Sequence, residues 1–201
     1  MKGLLLILLL SVSCNSKIQN SKDYLVTYYA DGTKKSEGPV SKSLKSGTWK
    51  FYYPDGKIRN ICHYLNGKKN GTSIEYFENG KISDSLNYKN GYFYGLIKFY
   101  YPNGQLNSED YYDVNGFNQG VFNIWYQSGK LRQTGNMKNG KIVGKSFEYY
   151  ENGNTEHVSY YDLAGKKDSI WVYYSPTGLL IKKEKYKLDS LMQTWMLNKK
   201  N

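Results

Sequence analysis

From residue 23 onward, aromatic and aliphatic positions return along the chain at a nearly constant interval, with polar residues and a glycine between them. The interval is 24 or 25 residues, and it is marked by Gly32, Gly56, Gly80, Gly104, Gly129, Gly153 and Gly178. The ring four residues before each of these glycines belongs to Tyr28, Tyr52, Tyr76, Tyr100, Trp125, Tyr149 and Tyr174. Such regularity predicts a repeat protein rather than a domain with an irregular core.

Each copy of the repeat indicates a β-hairpin. In the second copy, residues 48–53 are rich in aromatic side chains, which is typical of a strand, and residues 57–64 form the return strand. Between them, Pro54 suits the first central position of a type I turn, and Gly56 suits the left-handed position after it. We therefore predict a three-residue loop with a glycine bulge in preference to a two-residue Asn-Gly loop.

This register predicts a stripe of rings paired with aliphatic side chains. The predicted pairs include Tyr52 with Ile58, Tyr100 with Leu106 and Trp125 with Leu131. Such cross-strand pairs contribute roughly 0.2–1 kcal/mol each. The other face is less regular. Its positions hold Trp49, Phe51 and Tyr53 in the second copy, then Ser73, Glu75 and Phe77, then Ile97, Phe99 and Tyr101, then Phe122, Ile124 and Tyr126, and then Ser146, Glu148 and Tyr150. We therefore expect a single twisted or curled sheet whose faces do not divide cleanly into core and solvent.

The predicted fold class is all-β, an elongated antiparallel β-meander of about seven stacked β-hairpin repeats at residues 23–189. Residues 190–201 depart from the repeat and are expected to form a C-terminal cap or tail. Both 25-residue intervals come from one extra residue, which lies in 112–116 and again in 161–165. Because insertions collect in loops, these two segments are predicted turns.

The first residues are typical of an export signal. Residues 4–10 are seven consecutive apolar residues, which is too short a run to span a bilayer. Cys14 follows closely, and residues 11–14 resemble a bacterial lipobox, in which the chain is cut before a cysteine that is then acylated. The alternative is an ordinary secretory signal with an incidental cysteine. We expect a signal peptide at 1–13 and an acylated Cys14 with a polar tether at 14–22, which anchor the protein to the bacterial cell envelope, on a periplasmic or surface face of the outer membrane.

Composition and charge narrow the classes further. Aromatic residues make up 16% of the chain, whereas disordered chains are poor in rings. The two cysteines cannot build a disulfide scaffold. The formal net charge of +11 has two interpretations, a solubilising surface of lysines or attraction to an acidic protein, anionic headgroups or an anionic envelope polymer. Nucleic acid is not the partner we expect for an exported protein.

Few residues offer catalytic chemistry. The two histidines, His63 and His157, stand at non-equivalent positions of the repeat. Cys62 and His63 are adjacent on a predicted strand, so their side chains point to opposite faces, and we expect Cys62 to be a buried structural thiol. Glu75 and Glu148 lie three repeats apart, too far for paired acid–base work. Zinc-type spacings and phosphate-binding loops do not occur, so we expect no enzyme activity, no metal and no cofactor.

The repeated rings have a structural and a functional interpretation. Cross-strand packing that holds a thin sheet together is the simpler one, and we favour it. The other is a binding face, because tyrosine joins a large ring to a hydroxyl and is enriched at interfaces. The candidate residues of this face are Tyr52, Tyr76, Tyr100, Trp125, Tyr149 and Tyr174.

The motif of the second copy resembles a known family. Gly-x-Trp-x-x-Tyr-Tyr-x-x-Gly at 47–56, followed by Tyr-x-x-Gly-x-x-x-Gly at 64–71, resembles the MORN-repeat variant (membrane occupation and recognition nexus). The resemblance extends over residues 23–189 and implies an elongated β-meander. Many bacterial members carry an antitoxin label, which implies a protein that neutralises a partner toxin. Lipid recognition proposed for the eukaryotic type is not carried over, because the spacing and the double tyrosine differ.

These observations predict a non-catalytic, lipid-anchored repeat scaffold that binds a protein or an envelope polymer along its elongated face. An antitoxin or immunity-type inhibitor is the first alternative. A polysaccharide or nucleic-acid binder is the second.

Overall fold

The computed structural model describes residues 19–21 and 23–197, which form strands and turns with no helix among them. In this part of the chain there is accordingly no helix of the length and apolarity that a membrane crossing requires. The predicted signal peptide at 1–13 and the lipidation site Cys14 lie outside the described residues.

The described residues contain eighteen strands, labelled in chain order. They are β1 (Gln19–Ser21), β2 (Tyr24–Tyr28), β3 (Lys34–Ser41), β4 (Leu44–Lys45), β5 (Gly47–Tyr52), β6 (Ile58–Leu65), β7 (Lys68–Tyr76), β8 (Ile82–Lys89), β9 (Tyr92–Phe93), β10 (Gly95–Tyr100), β11 (Leu106–Tyr112), β12 (Asn118–Trp125), β13 (Leu131–Lys138), β14 (Lys141–Tyr149), β15 (Thr155–Tyr161), β16 (Ser169–Tyr174), β17 (Leu180–Lys187) and β18 (Ser190–Met196).

The strands form an open antiparallel meander in which neighbours along the chain are neighbours in the sheet. The short strands β4 and β9 extend two of the turns, so β3 also pairs with β5, and β8 also pairs with β10. Seven hairpins result, built from β2–β3, β5–β6, β7–β8, β10–β11, β12–β13, β14–β15 and β16–β17. The predicted all-β meander of about seven stacked hairpins is confirmed.

Strand pairing continues into both segments that flank the predicted repeats. β1 lies within the predicted tether and pairs with β2, with Asn20 opposite Leu25. β18 lies within the predicted cap and pairs with β17, with Thr194 opposite Glu184. The edge strand of a sheet offers free backbone groups, which accounts for the added strand at each end.

The glycine turn of each hairpin has the predicted three-residue geometry. In the second hairpin, the amide of Tyr53 donates to the carbonyl of Lys57 at 2.8 Å, and the amide of Gly56 donates to the carbonyl of Tyr53 at 2.9 Å. Gly56 has a φ of 85°, in the left-handed region that favours glycine. Tyr52 therefore lies opposite Ile58, as predicted. The same pairing joins Tyr100 to Leu106 and Trp125 to Leu131.

The turns between hairpins are of another type. Asn66 and Gly67 have φ values of 50° and 78°, the two positive values of a type I′ turn. The amide of Gly67 also donates to the carbonyl of Lys45 at 2.8 Å, which ties consecutive hairpins together. Where the sequence carries an extra residue, a three-residue loop closes instead, with the amide of Asp113 donating to the carbonyl of Phe117 at 2.9 Å. Both predicted insertion turns are present.

The buried core lies on the face that looked less regular in the sequence, in one of its columns. Trp49, Ser73, Ile97, Phe122, Ser146 and Trp171 are at most 5% exposed. The predicted stripe of rings and aliphatic partners forms in register but stays half-buried, with Ile58 and Ile82 36% and 40% exposed. In six of the seven hairpins, the residue seven positions before the glycine is therefore inside, whereas its equivalent in the first hairpin, Leu25, is half-buried. Return-strand residues such as Cys62 and Leu86 complete the core.

The buried column that includes Trp49 and Phe122 is inside because these large rings face small residues on the adjacent strands. Trp49 lies opposite Cys62 and covers Gly38, where an added Cβ would stand 2.5 Å from the indole. Phe122 lies opposite Gly135, where an added Cβ would meet the ring at 2.8 Å. Close packing of this kind depends on the sum of facing volumes, so one column read alone does not reveal it.

Candidate functional site

The rings proposed from the sequence as a binding face are all half-buried in equivalent positions of their hairpins. They are Tyr52, Tyr76, Tyr100, Trp125, Tyr149 and Tyr174. The Tyr52 hydroxyl donates to the carboxylate of Glu37, which also pairs with Lys34 at 2.9 Å. This hydrogen bond holds the pKa of Glu37 below its ordinary value, and burial raises the pKa of Tyr52 well above its own. At Tyr52, therefore, the hydroxyl is already engaged within the sheet.

A second tyrosine column, one residue later, links the hairpins to one another. The hydroxyl of each ring donates to the backbone carbonyl four residues before the glycine of the next hairpin. The bonds run from Tyr29 to Tyr52 (2.7 Å), Tyr53 to Tyr76 (2.6 Å), Tyr101 to Trp125 (2.8 Å), Tyr126 to Tyr149 (2.7 Å) and Tyr150 to Tyr174 (2.8 Å). Sequence reasoning missed this ladder, although the double tyrosine of the repeat was its signal.

The ladder is interrupted at the third hairpin. Phe77 occupies the tyrosine position there, and it has no hydroxyl to donate. The carbonyl of Tyr100 therefore lacks the donor that the five equivalent carbonyls receive.

A groove of about 500 Å³ lies at this interruption. It crosses three successive hairpins, with walls that combine rings and polar side chains. The rings include Tyr53, Phe77 and Phe99, and the polar side chains include Arg59, Asp84 and Asn107. Arg59 and Glu75 also line a smaller depression of about 300 Å³ beside Phe51 and Tyr64.

The polar side chains of the groove differ in how far the protein already engages them. Asp84 accepts a hydrogen bond from the Ser83 hydroxyl at 2.8 Å, and Glu75 lies 3.9 Å from the ammonium of Lys69. The described residues supply neither the guanidinium of Arg59 nor the amide of Asn107 with a hydrogen bond or an ion pair. Arg59 is exposed and Asn107 is half-exposed, so both are free to bind a ligand.

Several lysines lie over aromatic rings instead of extending into solvent. The ammonium of Lys45 is 4.4 Å from the centroid of Trp49, 4.6 Å from that of Phe51 and 5.1 Å from that of Tyr64. Burial lowers the pKa of Lys45. Its equivalent in a later hairpin is Phe93, so this position covers the aromatic core with either an ammonium or a ring.

Cys62 and the two histidines do not come together in one place. Cys62 is fully buried, as predicted, and burial raises its pKa. His63 is exposed and contacts the carbonyl of Thr72 at 3.1 Å, so it does not meet Cys62. His157 Nε2 lies 3.4 Å from a carboxylate oxygen of Glu148, a pairing that the sequence analysis did not foresee.

Potential metal ligands are dispersed over the same sheet. Across residues 19–21 and 23–197, no three histidine, cysteine, aspartate or glutamate side chains come close enough together to hold a metal ion.

Comparison with known proteins gives one informative match. The family model described as MORN repeat variant matches five consecutive copies, at residues 45–66, 69–90, 93–113, 118–139 and 142–165. No curated protein matches the chain.

The likeness to solved structures is weak in the two examples that follow. The crystal structure of TcdB2-TccC3-Cdc42 is 12% identical with a TM-score of 0.18, and the match covers 83% of this chain and 12% of that one. For the crystal structure of TcdB2-TccC3 the identity is 12% and the TM-score 0.18, with 84% and 13% covered. The chain thus spans about an eighth of the length of either, and such TM-scores support no conclusion about fold or function.

Proposed function

Because the chain belongs to the MORN repeat variant family, we propose that it is a non-catalytic binding scaffold, held on a bacterial cell envelope by a lipid on Cys14. The observation that carries the proposal is the groove across three hairpins, where rings stand beside a guanidinium and an amide that have no partner among the described residues. Such a surface offers both contact area and hydrogen bonds to a partner.

The repeat architecture suits recognition of an extended partner. Each hairpin adds two strands, so equivalent positions advance by about 10 Å along the sheet. A partner that lies across the strands meets similar side chains at each step, and several modest contacts act together once the first is made. An extended protein segment or an envelope polymer has this shape.

The pairing of His157 with Glu148 does not call for a catalytic role. The His157 ring stacks on Trp171 with centroids 6.1 Å apart and contacts Tyr173 at 5.4 Å. Packing against the two rings and the contact with Glu148 are sufficient to explain the position of His157. A general base also needs room for a substrate beside it.

Fractionation of cells that express the full chain tests the anchor. We expect the wild-type protein in the membrane fraction and the Cys14→Ala protein in the soluble exported fraction. Cys62→Ala is the matched control and should remain with the membrane. Membrane association that persists in Cys14→Ala would overturn the lipid anchor.

Cross-linking in intact cells tests the binding face. A photoreactive phenylalanine derivative replaces Asn107 in the groove or, as a control, Leu163, which is 79% exposed in a turn. We expect a discrete adduct at position 107 and none at 163. Equal labelling at both positions, or none at either, would count against a binding scaffold. An adduct with a toxin whose growth inhibition this chain relieves would replace the envelope role by the antitoxin alternative.

A further inference from the structure

The groove at the interruption of the tyrosine ladder has the features of a carbohydrate site. We propose that it binds a neutral β-1,4-linked glycan that lies across the strands of the second, third and fourth hairpins. This inference rests on the proposed binding function and names the ligand class of the same surface. The rings of Tyr53, Phe77 and Phe99 line it, and aromatic rings offer apolar faces of the kind on which the C–H face of a pyranose stacks.

The missing hydroxyl at Phe77 indicates a ligand that donates O–H groups. In five other places, a tyrosine hydroxyl satisfies the equivalent backbone carbonyl at 2.6–2.8 Å. Tyr100 lines the groove, and Phe77 leaves its carbonyl without that donor. A sugar hydroxyl that donates to the Tyr100 carbonyl takes the place of the absent tyrosine hydroxyl.

The side chains around this carbonyl complete the match to a polyol. The guanidinium of Arg59 and the amide of Asn107 donate hydrogen bonds to sugar oxygens, and the carboxylate of Asp84 accepts them from sugar hydroxyls. All three line the groove, and the first two have no partner among the described residues. A site for sugars needs both donors and acceptors of hydrogen bonds, because each sugar hydroxyl both donates and accepts.

Local charge distinguishes a neutral glycan from an anionic polymer. The chain as a whole carries a formal charge of +11, but the groove places Glu75 and Asp84 beside the single guanidinium of Arg59. Lys69 neutralises part of the charge of Glu75 from 3.9 Å. The groove is therefore close to neutral or slightly negative, and like charges would repel a polyanion.

The dimensions and the backbone favour a glycan over an added peptide strand. One hairpin advances the sheet by about 10 Å, close to the disaccharide step of an extended β-1,4-linked chain, so successive sugars meet equivalent positions. The strands beneath the groove pair on both sides, as β7 does with β6 and β8. They have no free edge for a peptide to extend.

Calorimetric titration of the purified full chain with the hexamer of β-1,4-linked N-acetylglucosamine tests the proposal. Phe77→Tyr supplies the missing hydroxyl to the Tyr100 carbonyl, so we expect the affinity to fall about tenfold while the protein becomes no less stable. Arg59→Gln removes the guanidinium from an exposed position, and it should lower the affinity by a similar factor.

Tyr126→Phe is the matched control, because it breaks the same ladder away from the groove. It should lower stability and leave the affinity unchanged. Absence of binding to the wild-type protein, or wild-type affinity in both Phe77→Tyr and Arg59→Gln, would overturn the glycan site. A protein adduct at position 107 in the cross-linking experiment would likewise overturn the glycan site but leave the proposed scaffold function standing.

Discussion

The hydroxyl of Tyr53 donates a hydrogen bond to the backbone carbonyl of Tyr76, at 2.6 Å and one hairpin further along the sheet. The carbonyl lies at a strand end, beside the turn, where the sheet ladder does not continue. The bond therefore adds a link between copies at the position where backbone pairing ends. Its regular recurrence explains why tyrosine stands at this position of the repeat, where phenylalanine would pack as well.

Removal of single hydroxyls from the ladder should lower stability by a similar amount in each hairpin. Tyr126→Phe and Tyr150→Phe each remove one donor and leave a carbonyl unpaired, so we expect a loss of about 1 kcal/mol apiece in urea unfolding. Phe77→Tyr should shift the unfolding midpoint in the opposite direction. If all three variants unfold at the same urea concentration, the tyrosine hydroxyls make no net contribution to the free energy of unfolding.

Addition of one methyl group at Gly38 should destabilise the protein more than any exposed substitution nearby. The new Cβ would stand 2.5 Å from the indole of Trp49, so either the ring or the strand must move. We expect a loss of about 1–3 kcal/mol in chemical denaturation. Ser41→Ala, exposed on the same strand, is the control and should change little. The clash needs the indole. The double variant Gly38→Ala with Trp49→Leu should therefore be no less stable than Trp49→Leu alone.

The position of Lys45 should accept a long apolar side chain. Its ammonium lies over three rings, and its equivalent Phe93 lies between Tyr88 and Tyr112, with centroids 5.1 and 5.3 Å away. Lys45→Met keeps the covering stem and removes a partly buried charge, so the free energy of unfolding should change by less than about 1 kcal/mol. Lys45→Ala uncovers the rings and should cost more. A larger loss for methionine than for alanine would contradict this account.

Protonation of Glu37 should lower the free energy of unfolding in acid. Hydrogen bonding from Tyr52 and pairing with Lys34 hold the folded-state pKa of Glu37 below its ordinary value of 4.5. A lowered carboxylate pKa contributes stability that is present above 4.5 and is lost as the pH falls through the folded-state value. Glu37→Gln should be less stable than wild type at neutral pH, and the gap should narrow below 4.5. The control is Glu78→Gln, an exposed substitution that should change the stability at neutral pH by no more than about 0.5 kcal/mol.

The thiol of Cys62 should react only when the sheet opens. The side chain is fully buried and burial raises its pKa, so the thiolate that reacts with disulfide reagents is scarce. In the Cys14→Ala protein, which has no other cysteine, thiol labelling should follow the unfolding curve in urea. Rapid labelling without denaturant would show that this part of the core opens on its own.

The spacing of residues along the chain was sufficient to predict the hairpins and their register. Pro54 and Gly56 specify the loop locally, and the loop in turn sets Tyr52 opposite Ile58, so these features need no information from distant residues. The single-sheet meander follows because each hairpin resembles the next and has its nearest neighbour in sequence as its neighbour in space. The extra residues at 112–116 and 161–165 indicated turns for the same local reason.

Only the tertiary structure decided which column is core and where the rings leave a groove. Trp49 is buried because Gly38 on another strand leaves room for it, and such complementarity depends on pairs that one column does not contain. The ladder from Tyr53 to Tyr76, and its interruption at Phe77, depend on how far a ring reaches across to the next hairpin. The repeat by itself determined the sheet, because strand pairing is local. The position of the groove was settled by contacts between hairpins, because a single substitution alters what two neighbouring copies leave open.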